Sequence, residues 1–429
     1  MKTALVMGIQ ASGISATNLL KQMGYEVRLY DDKLEIENNY RDRGEEIYEN
    51  LDLIVVSPSI PFDHQVVKEG ESRGIKVISE LELGVSQLKS AVIIAVTGTN
   101  GKTTTVDMLE KALKIMGKKV RTMGNIGYPV SQVVLDGDEP EYAVIECSSF
   151  QLERTYTMHP RYALFMNLSP DHMDRYTLYE DYFNAKKRIF NMQSVTDYAV
   201  LNYDTKQIRD LAKHLPVTIK WVSSKEQKGD ITIKDNYFYL LGQPLISVRE
   251  SRARGEHNRF NMAAVMTVAH SLGATKEQLC AFVREYRVLP HRVEFVGTVD
   301  GVSFYNDSKG TNVGACLSAI RTVGGKVGLI MGGSDKKEDY CEFFDEIYGK
   351  VQYVAVSGAN AEKIFGSAMK VGFTDIKITS TLDEAVELLS NKEGIDTVLF
   401  SPASASFDRY SGYQERGECF KNKVYALKA

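Results

Sequence analysis

The sequence predicts an α/β protein with parallel sheets, divided into more than one domain. Short apolar runs bounded by glycine or polar residues alternate with helical patterns along the chain, as buried parallel strands and their covering helices do. One such run, residues 91–97, passes directly into Gly98-Thr-Asn-Gly-Lys-Thr-Thr-Thr105 and then into a helical pattern. The length of 429 residues exceeds one ordinary core and suggests two to three domains.

The run from Thr3 to Gly8 reads as a first strand, followed by a helix through Ile14, Leu19, Leu20 and Met23 and a second strand, Val27 to Tyr30, ending at Asp31-Asp32. This is a βαβ start of the dinucleotide-binding kind, but Gln10 takes the place of the middle glycine of G-x-G-x-x-G, where a pyrophosphate needs bare backbone. A nucleotide could lie over Ala11-Ser12 with Asp31, Asp32 or Lys33 near its base or sugar; equally, the two aspartates could simply solvate a strand end. A third strand, Leu53 to Ser57, is closed by Pro58 and Pro61, and a first domain is expected to end near Ser90.

The Gly98–Thr105 stretch sits where a phosphate loop belongs. Successive N–H groups in such a turn face one concavity, the helix N-terminus adds positive potential, Lys102 can reach outer phosphates, and Thr103 can hold Mg²⁺. Its spelling departs from G-x-x-x-x-G-K-[ST], which would need glycine at Val96. Downstream, the turn Gly124-Asn-Ile-Gly127 would present Asn125 beside the phosphates, and the strand Tyr142 to Cys147 carries Glu146 near its end. A carboxylate there supplies a magnesium ligand or orients its water, or is a solvated strand end. The strand Tyr162 to Leu168 delivers Ser169-Pro-Asp-His-Met-Asp174, in which His172 is a candidate ligand beside Asp171 and Asp174.

Tyr182 to Phe190 is helical in pattern, and by default its adjacent Lys186 and Lys187 face solvent. Strands are expected at 198–201 and 218–222, with an edge hairpin from Asp230 to Leu241; Asn258 and Asn261 either hydrogen-bond a base or cap the helix that runs to His270. Arg287-Val-Leu-Pro-His-Arg292 reads as a domain junction, and Asp300-Gly301 as a hairpin turn running into Asn306-Asp-Ser-Lys-Gly-Thr-Asn312. Strands at 327–331, 351–356 and 397–400 each end in a small or polar loop, giving a separate α/β domain with its ligand edge at the strand ends.

A net charge of −4 offers no sequence-wide attraction to nucleic acid or anionic lipid. The five scattered cysteines, without C-x-x-C spacing, indicate free thiols. No tract resembles a membrane span, and the start reads as a strand rather than a signal peptide, so a cytoplasmic protein is expected, without nucleic-acid or membrane partners.

Taken together, V-T-G-T-N-G-K-T-T-T, E-C-S-S-F-Q-L-E, D-H-M-D-R-Y, N-A-K-K-R-I-F, L-P-H-R, N-D-S-K-G-T-N, and S-P-A-S-A-S-F-D-R-Y with Q-E-R-G resemble the Mur ligases over the whole chain and in the family's order. S-S-F-Q-L-E and S-F-D-x-Y resemble the D-glutamate-adding branch, and the D-N-P-R motif of the diaminopimelate- or lysine-adding branch is missing. The resemblance implies three domains: a Rossmann-like, UDP-substrate-binding domain at 1–90, a central P-loop ATP-binding domain with a parallel sheet and a small antiparallel sheet at 91–289, and a Rossmann-like C-terminal domain at 290–429 for amino-acid binding and closure. It implies ATP-dependent phosphorylation of the carboxylate of UDP-MurNAc-L-Ala, followed by attack of the D-glutamate amine on the acyl phosphate. A monomer is expected. The alternatives are a sister ligase adding another amino acid and a non-catalytic nucleotide-binding module.

Site residues follow from the resemblance position by position. ATP falls to Gly98, Thr99, Asn100, Gly101, Lys102, Thr103 and Thr104, with Asn261, Arg292, Asp307 and Lys309 also on the ATP side. Two Mg²⁺ sites are implied, served by Thr103, Glu146, His172 and a carbamylated Lys186, with Asn125 holding substrate or phosphates. Ser12, Asp31, Asp32, Lys33 and Ser57 would surround the UDP, and Thr311, Lys336, Ser406 and Tyr413 the D-glutamate. Against the family pattern, Gln10 replaces a first-loop glycine, Ser59 follows Ser-Pro where glycine is common, and Tyr413 stands where phenylalanine is found.

Overall fold

The computed structural model describes residues 1–125, 127–137, 139–173, 175–335 and 340–427. Four sheets organise them. The first holds β1 (Lys2–Met7), β2 (Tyr25–Tyr30), β3 (Leu53–Val56) and β4 (Lys76–Ser79) in the order β2-β1-β3-β4, all parallel. Every residue of β3 and all but the first of β1 are buried, the signature of strands covered on both faces.

The second sheet is six-stranded and parallel: β5 (Val92–Thr97), β6 (Val120–Gly124), β7 (Tyr142–Glu146), β8 (Tyr162–Phe165), β9 (Tyr198–Asn202) and β10 (Thr218–Val222), ordered β10-β9-β8-β5-β7-β6. Its register sets the candidate site. Gly124 pairs with Glu146, Glu146 with Val96, and Thr97 with Phe165, so four strands end in one row.

The expected hairpin at 230–241 is not an edge of this sheet. It forms a separate antiparallel sheet of β11 (Ile231–Lys234), β12 (Tyr237–Leu240) and β13 (Gln243–Ser247). The fourth sheet holds β14 (Glu294–Val299), β15 (Val302–Asn306), β16 (Val327–Met331), β17 (Val351–Val356), β18 (Ile376–Ile378) and β19 (Thr397–Phe400), ordered β14-β15-β19-β16-β17-β18. Only the β14–β15 hairpin is antiparallel, and its turn puts Asp300 and Gly301 at φ 48° and 83°, the left-handed pair that a tight hairpin requires.

Two compact units result: residues 1–168 with 175–250 and 260–285, and residues 169–174 with 251–259 and 286–429. Among the described residues no helix is long and apolar enough to cross a membrane. All five cysteines are free thiols, as the sequence suggests.

Candidate active site

At the end of β5 the chain turns through Gly98 and Gly101, at φ 149° and 81°, and enters the helix Lys102–Ile115. The left-handed φ favours glycine at 101, and a Cβ there would also crowd Asn261 Oδ1 at 3.1 Å. Lys102 folds back over the loop, its Nζ donating to the carbonyls of Gly98 and Thr99 at 2.8 Å each. Thr103 is half-buried and Thr104 buried in the first helical turn.

Glu146 stands beside this loop on β7 and is 1% exposed. Its Oε1 accepts from Asn125 Nδ2 at 3.0 Å, and its carbonyl from Asn125 N at 2.9 Å. Its Oε2 is buried without a hydrogen-bond partner. A carboxylate oxygen left open beside a helix N-terminus suits a divalent cation, because a buried anionic oxygen needs compensation. Among the described residues no three His, Cys, Asp or Glu side chains converge as a metal cage. Thr103 at the helix start and Glu146 are the groups here that could hold a magnesium ion.

Lys186 overturns the solvent-facing default of its helical pattern. It is 1% exposed, donates to Gly98 O at 2.8 Å, and its Nζ lies 4.5 Å from the Tyr182 ring centroid. Tyr182 is equally buried and donates from its hydroxyl to Thr99 Oγ1 at 3.2 Å. The helix Tyr179–Lys187 thus packs a lysine and a tyrosine against the glycine loop.

Sequence reasoning missed Asn167. Its Oδ1 accepts from Asn100 N at 2.8 Å, its Nδ2 donates to Asn100 O at 2.9 Å, and its carbonyl accepts from Thr99 N at 3.1 Å. One side-chain amide therefore continues the β5–β8 ladder into the glycine loop. Asn261 is 3% exposed with Nδ2 unpartnered, facing Gly101, whereas Asn258 donates to Arg254 O at 2.8 Å as a helix-start contact.

At the strand ends of the first sheet, Ser57 Oγ donates to Gly8 O at 2.6 Å and ties the end of β3 to the loop after β1. Asp31 serves this loop rather than presenting a free carboxylate, accepting from the amides of Ile9 (2.8 Å), Lys33 (3.0 Å) and Leu34 (2.9 Å). Burial alone would raise its pKa, but these amides hold it below the ordinary value. Asp32 accepts from the Tyr30 hydroxyl at 3.0 Å and meets His64 Nε2 at 3.2 Å; Lys33 is exposed, and Ser12 half-buried at the start of the helix Ala11–Gln22.

The second unit holds the remaining expected residues. His172 adopts a left-handed φ of 58°, with its amide on Asp171 Oδ1 at 2.9 Å and its Nε2 3.7 Å from Asp171 Oδ2, which also accepts from Asn312 at 3.2 Å. Asp307 is buried, accepting from Val293 N at 3.2 Å and Ser401 Oγ at 2.7 Å. Burial pushes its carboxyl up to about 7 against those donors and Arg292, itself half-buried. Lys309 Nζ lies 4.0 Å from the Tyr413 ring centroid, and that ring meets His291 edge-on at 6.0 Å. Thr311 is half-buried; Ser406 is buried, its carbonyl accepting from Tyr410 N at 3.0 Å. Lys336, expected near D-glutamate, and Asp174 lie outside the described residues. Arg416, not anticipated, is buried and donates to the carbonyls of Ser308, Ser404 and Ala405.

Comparison with known proteins places the chain in a family. Residues 96–269 match the Mur ligase middle domain, and residues 291–404 the Mur ligase glutamate ligase domain. A UDP-N-acetylmuramoylalanine--D-glutamate ligase of Thermoanaerobacter sp. (strain X514) is 36% identical over 100% of this chain and 99% of its own length. The ligase of the same name from Lachnoclostridium phytofermentans is 36% identical over 100% and 98%. Among solved structures, UDP-N-acetylmuramate-alanine ligase MurC of Thermotoga maritima superposes with a TM-score of 0.62 at 18% identity, covering 99% of each chain. MurF ligase of Thermotoga maritima in complex with ADP gives 0.63 at 18% identity, over 89% of this chain and 91% of its own. These structures share the three-domain α/β architecture. The chain belongs to the Mur ligase family, in the branch of the UDP-N-acetylmuramoylalanine--D-glutamate ligases.

Proposed function

We propose that this chain is an ATP-dependent ligase that joins D-glutamate to UDP-MurNAc-L-Ala in peptidoglycan precursor synthesis, releasing ADP and phosphate. One observation carries this reading: the glycine loop, with Lys102 and Lys186 against it, ends in the same strand row as a buried Glu146 whose Oε2 is open. Attack of a carboxylate on a triphosphate brings like charges together. Catalysis then rests on positioning and charge neutralisation rather than on acid–base chemistry.

The residues divide the work of that scheme. The start of the helix Lys102–Ile115 would hold the phosphates, with the Thr99 and Asn100 amides kept on Asn167; Lys102, released from its loop carbonyls, would stabilise charge on the outer ones. Magnesium, when bound, would neutralise phosphate oxygens, and Thr103, Glu146 and Lys186 would hold it if Lys186 carries a carbamate, formed when its neutral amine adds CO2 and loses a proton, which turns it into an anionic oxygen ligand. His172 would serve a second ion, and Asn125 would orient Glu146. Asn261, Arg292, Asp307 and Lys309 fall to the ATP side, Ser12, Asp31, Asp32, Lys33 and Ser57 to the UDP, and Thr311, Lys336, Ser406 and Tyr413 to D-glutamate. The functional segments in this scheme are 1–90, 91–289 and 290–429 of a cytoplasmic monomer.

The test is phosphate release from ATP with UDP-MurNAc-L-Ala and a panel of amino acids. D-glutamate is expected to stimulate release above all others. Equal stimulation by another amino acid would favour a sister ligase, and no stimulation a nucleotide-binding module.

A further inference from the structure

Four residues of two motifs have no part in the proposed chemistry. They are Arg175 and Tyr176 in D-H-M-D-R-Y, and Phe150 and Glu153 in E-C-S-S-F-Q-L-E. The fold brings all four together. Arg175, its side chain 14% exposed, donates from Nη1 to Pro58 O at 2.9 Å and from Nη2 to Ile60 O at 3.1 Å and Glu153 Oε2 at 2.7 Å. Its guanidinium lies 4.0 Å from the Phe150 ring centroid. Tyr176 closes the group by donating to Glu153 Oε1 at 2.6 Å.

The two carbonyls that Arg175 holds belong to the turn after β3, in which Ile60 N donates to Ser57 O at 3.1 Å and Ser57 in turn holds Gly8. That turn lies at the first sheet's strand ends, where the chain runs from β1 to β2 on one side and β3 pairs on the other, the place where open parallel sheets receive ligands. A second arginine grips the same loop: Arg154 donates to Phe62 O at 3.0 Å and to Glu71 at 3.0 Å. In the other direction the Tyr176 ring packs on Tyr182 at 5.4 Å, and Tyr182 reaches Thr99 of the glycine loop. A continuous line of side chains therefore joins the 57–60 turn to the phosphate loop.

We propose that Arg175 is a positioning residue for the nucleotide-sugar substrate, fixing the 57–60 turn against the central sheet so that UDP-MurNAc-L-Ala is held in register with the phosphate loop. This rests on the function proposed above. The planar fork is the reason for arginine: two carbonyls, one carboxylate and one aromatic face are met at once, which a lysine ammonium on a flexible stem cannot do.

The test compares wild type, Arg175→Ala, Arg175→Lys and Tyr176→Phe in steady-state kinetics, calorimetric titration with UDP-MurNAc-L-Ala, and thermal melting without ligand. Loss of charge-assisted bonds predicts a KM and a Kd for UDP-MurNAc-L-Ala roughly 10- to 100-fold higher in Arg175→Ala, with the KM for ATP within about threefold. Arg175→Lys should recover little of it, and Tyr176→Phe should lose only about two- to fivefold. If Arg175→Ala binds UDP-MurNAc-L-Ala as wild type does, or if both KM values rise together with a falling melting temperature, the positioning role is overturned. If wild type itself neither binds nor turns over this substrate, the functional reading fails instead.

Discussion

Two polar, glycine-containing loops at strand ends, 98–104 after β5 and 306–311 after β15, look alike in the sequence and differ in how their buried polar atoms end. Around the first, Glu146 Oε2 and Asn261 Nδ2 are buried and unpartnered. Around the second, both Asp307 oxygens, the Ser308 hydroxyl and carbonyl, and the Arg416 guanidinium are engaged with one another or with nearby backbone. A buried polar group without a partner costs about 1–3 kcal/mol, so Glu146 Oε2 and Asn261 Nδ2 would gain from a ligand that supplies one. By this measure the first loop has open polar atoms to offer a ligand, while the Asp307 carboxyl of the second is already bonded within the protein.

The largest effect should come from the first loop. Lys102→Ala is expected to keep its melting temperature within a few degrees while losing on the order of 10²–10³ or more in turnover, read as phosphate release; normal turnover would break the comparison. Asn167→Asp is nearly isosteric but exchanges a donor to Asn100 O for a second acceptor and brings negative charge to the phosphate loop. The KM for ATP should rise roughly tenfold, with little change for UDP-MurNAc-L-Ala, as loss of one hydrogen bond plus charge repulsion implies.

In the second loop the bonded Asp307 carboxyl should also register in stability. The Asp307 carboxyl ionises at about 7 when folded and at 3.8 in its ordinary state, so the folded protein holds a proton that the unfolded chain releases. Its contribution is complete below pH 3.8 and declines as pH rises toward 7. The melting temperature of wild type should therefore fall between pH 5 and pH 8 relative to Asp307→Asn, which cannot ionise there; parallel profiles would show that Asp307 is not held neutral. The smallest effect is Ser57→Ala, which removes one hydroxyl bond to Gly8 O and should cost about 1 kcal/mol, measured by denaturant unfolding.

What can be read from the chain before folding is what is local. The β5–loop–helix unit, the Asp300-Gly301 hairpin and the strands at 327–331 and 351–356 each carry their periodicity and turn residues within about a dozen positions. Asn167 is out of reach because its partner, Asn100, lies 67 residues away and a polar residue at a strand end has no distinctive spelling. Lys186 is misread because adjacent lysines usually mark a solvated face. A signal is present: Tyr182 and Ile189, four before and three after, share its helical face and are buried, which places that lysine on the apolar stripe. The open oxygen of Glu146 becomes visible only once register sets it beside Val96 and Gly124.

The most direct measurement is mass spectrometry of the product formed from ATP, Mg²⁺, UDP-MurNAc-L-Ala and D-glutamate. The predicted result is UDP-MurNAc-L-Ala-D-Glu in equal amount to ADP and phosphate. ADP release without any new amide product, or a product only with a different amino acid, would contradict a D-glutamate ligase built on the 98–104 loop.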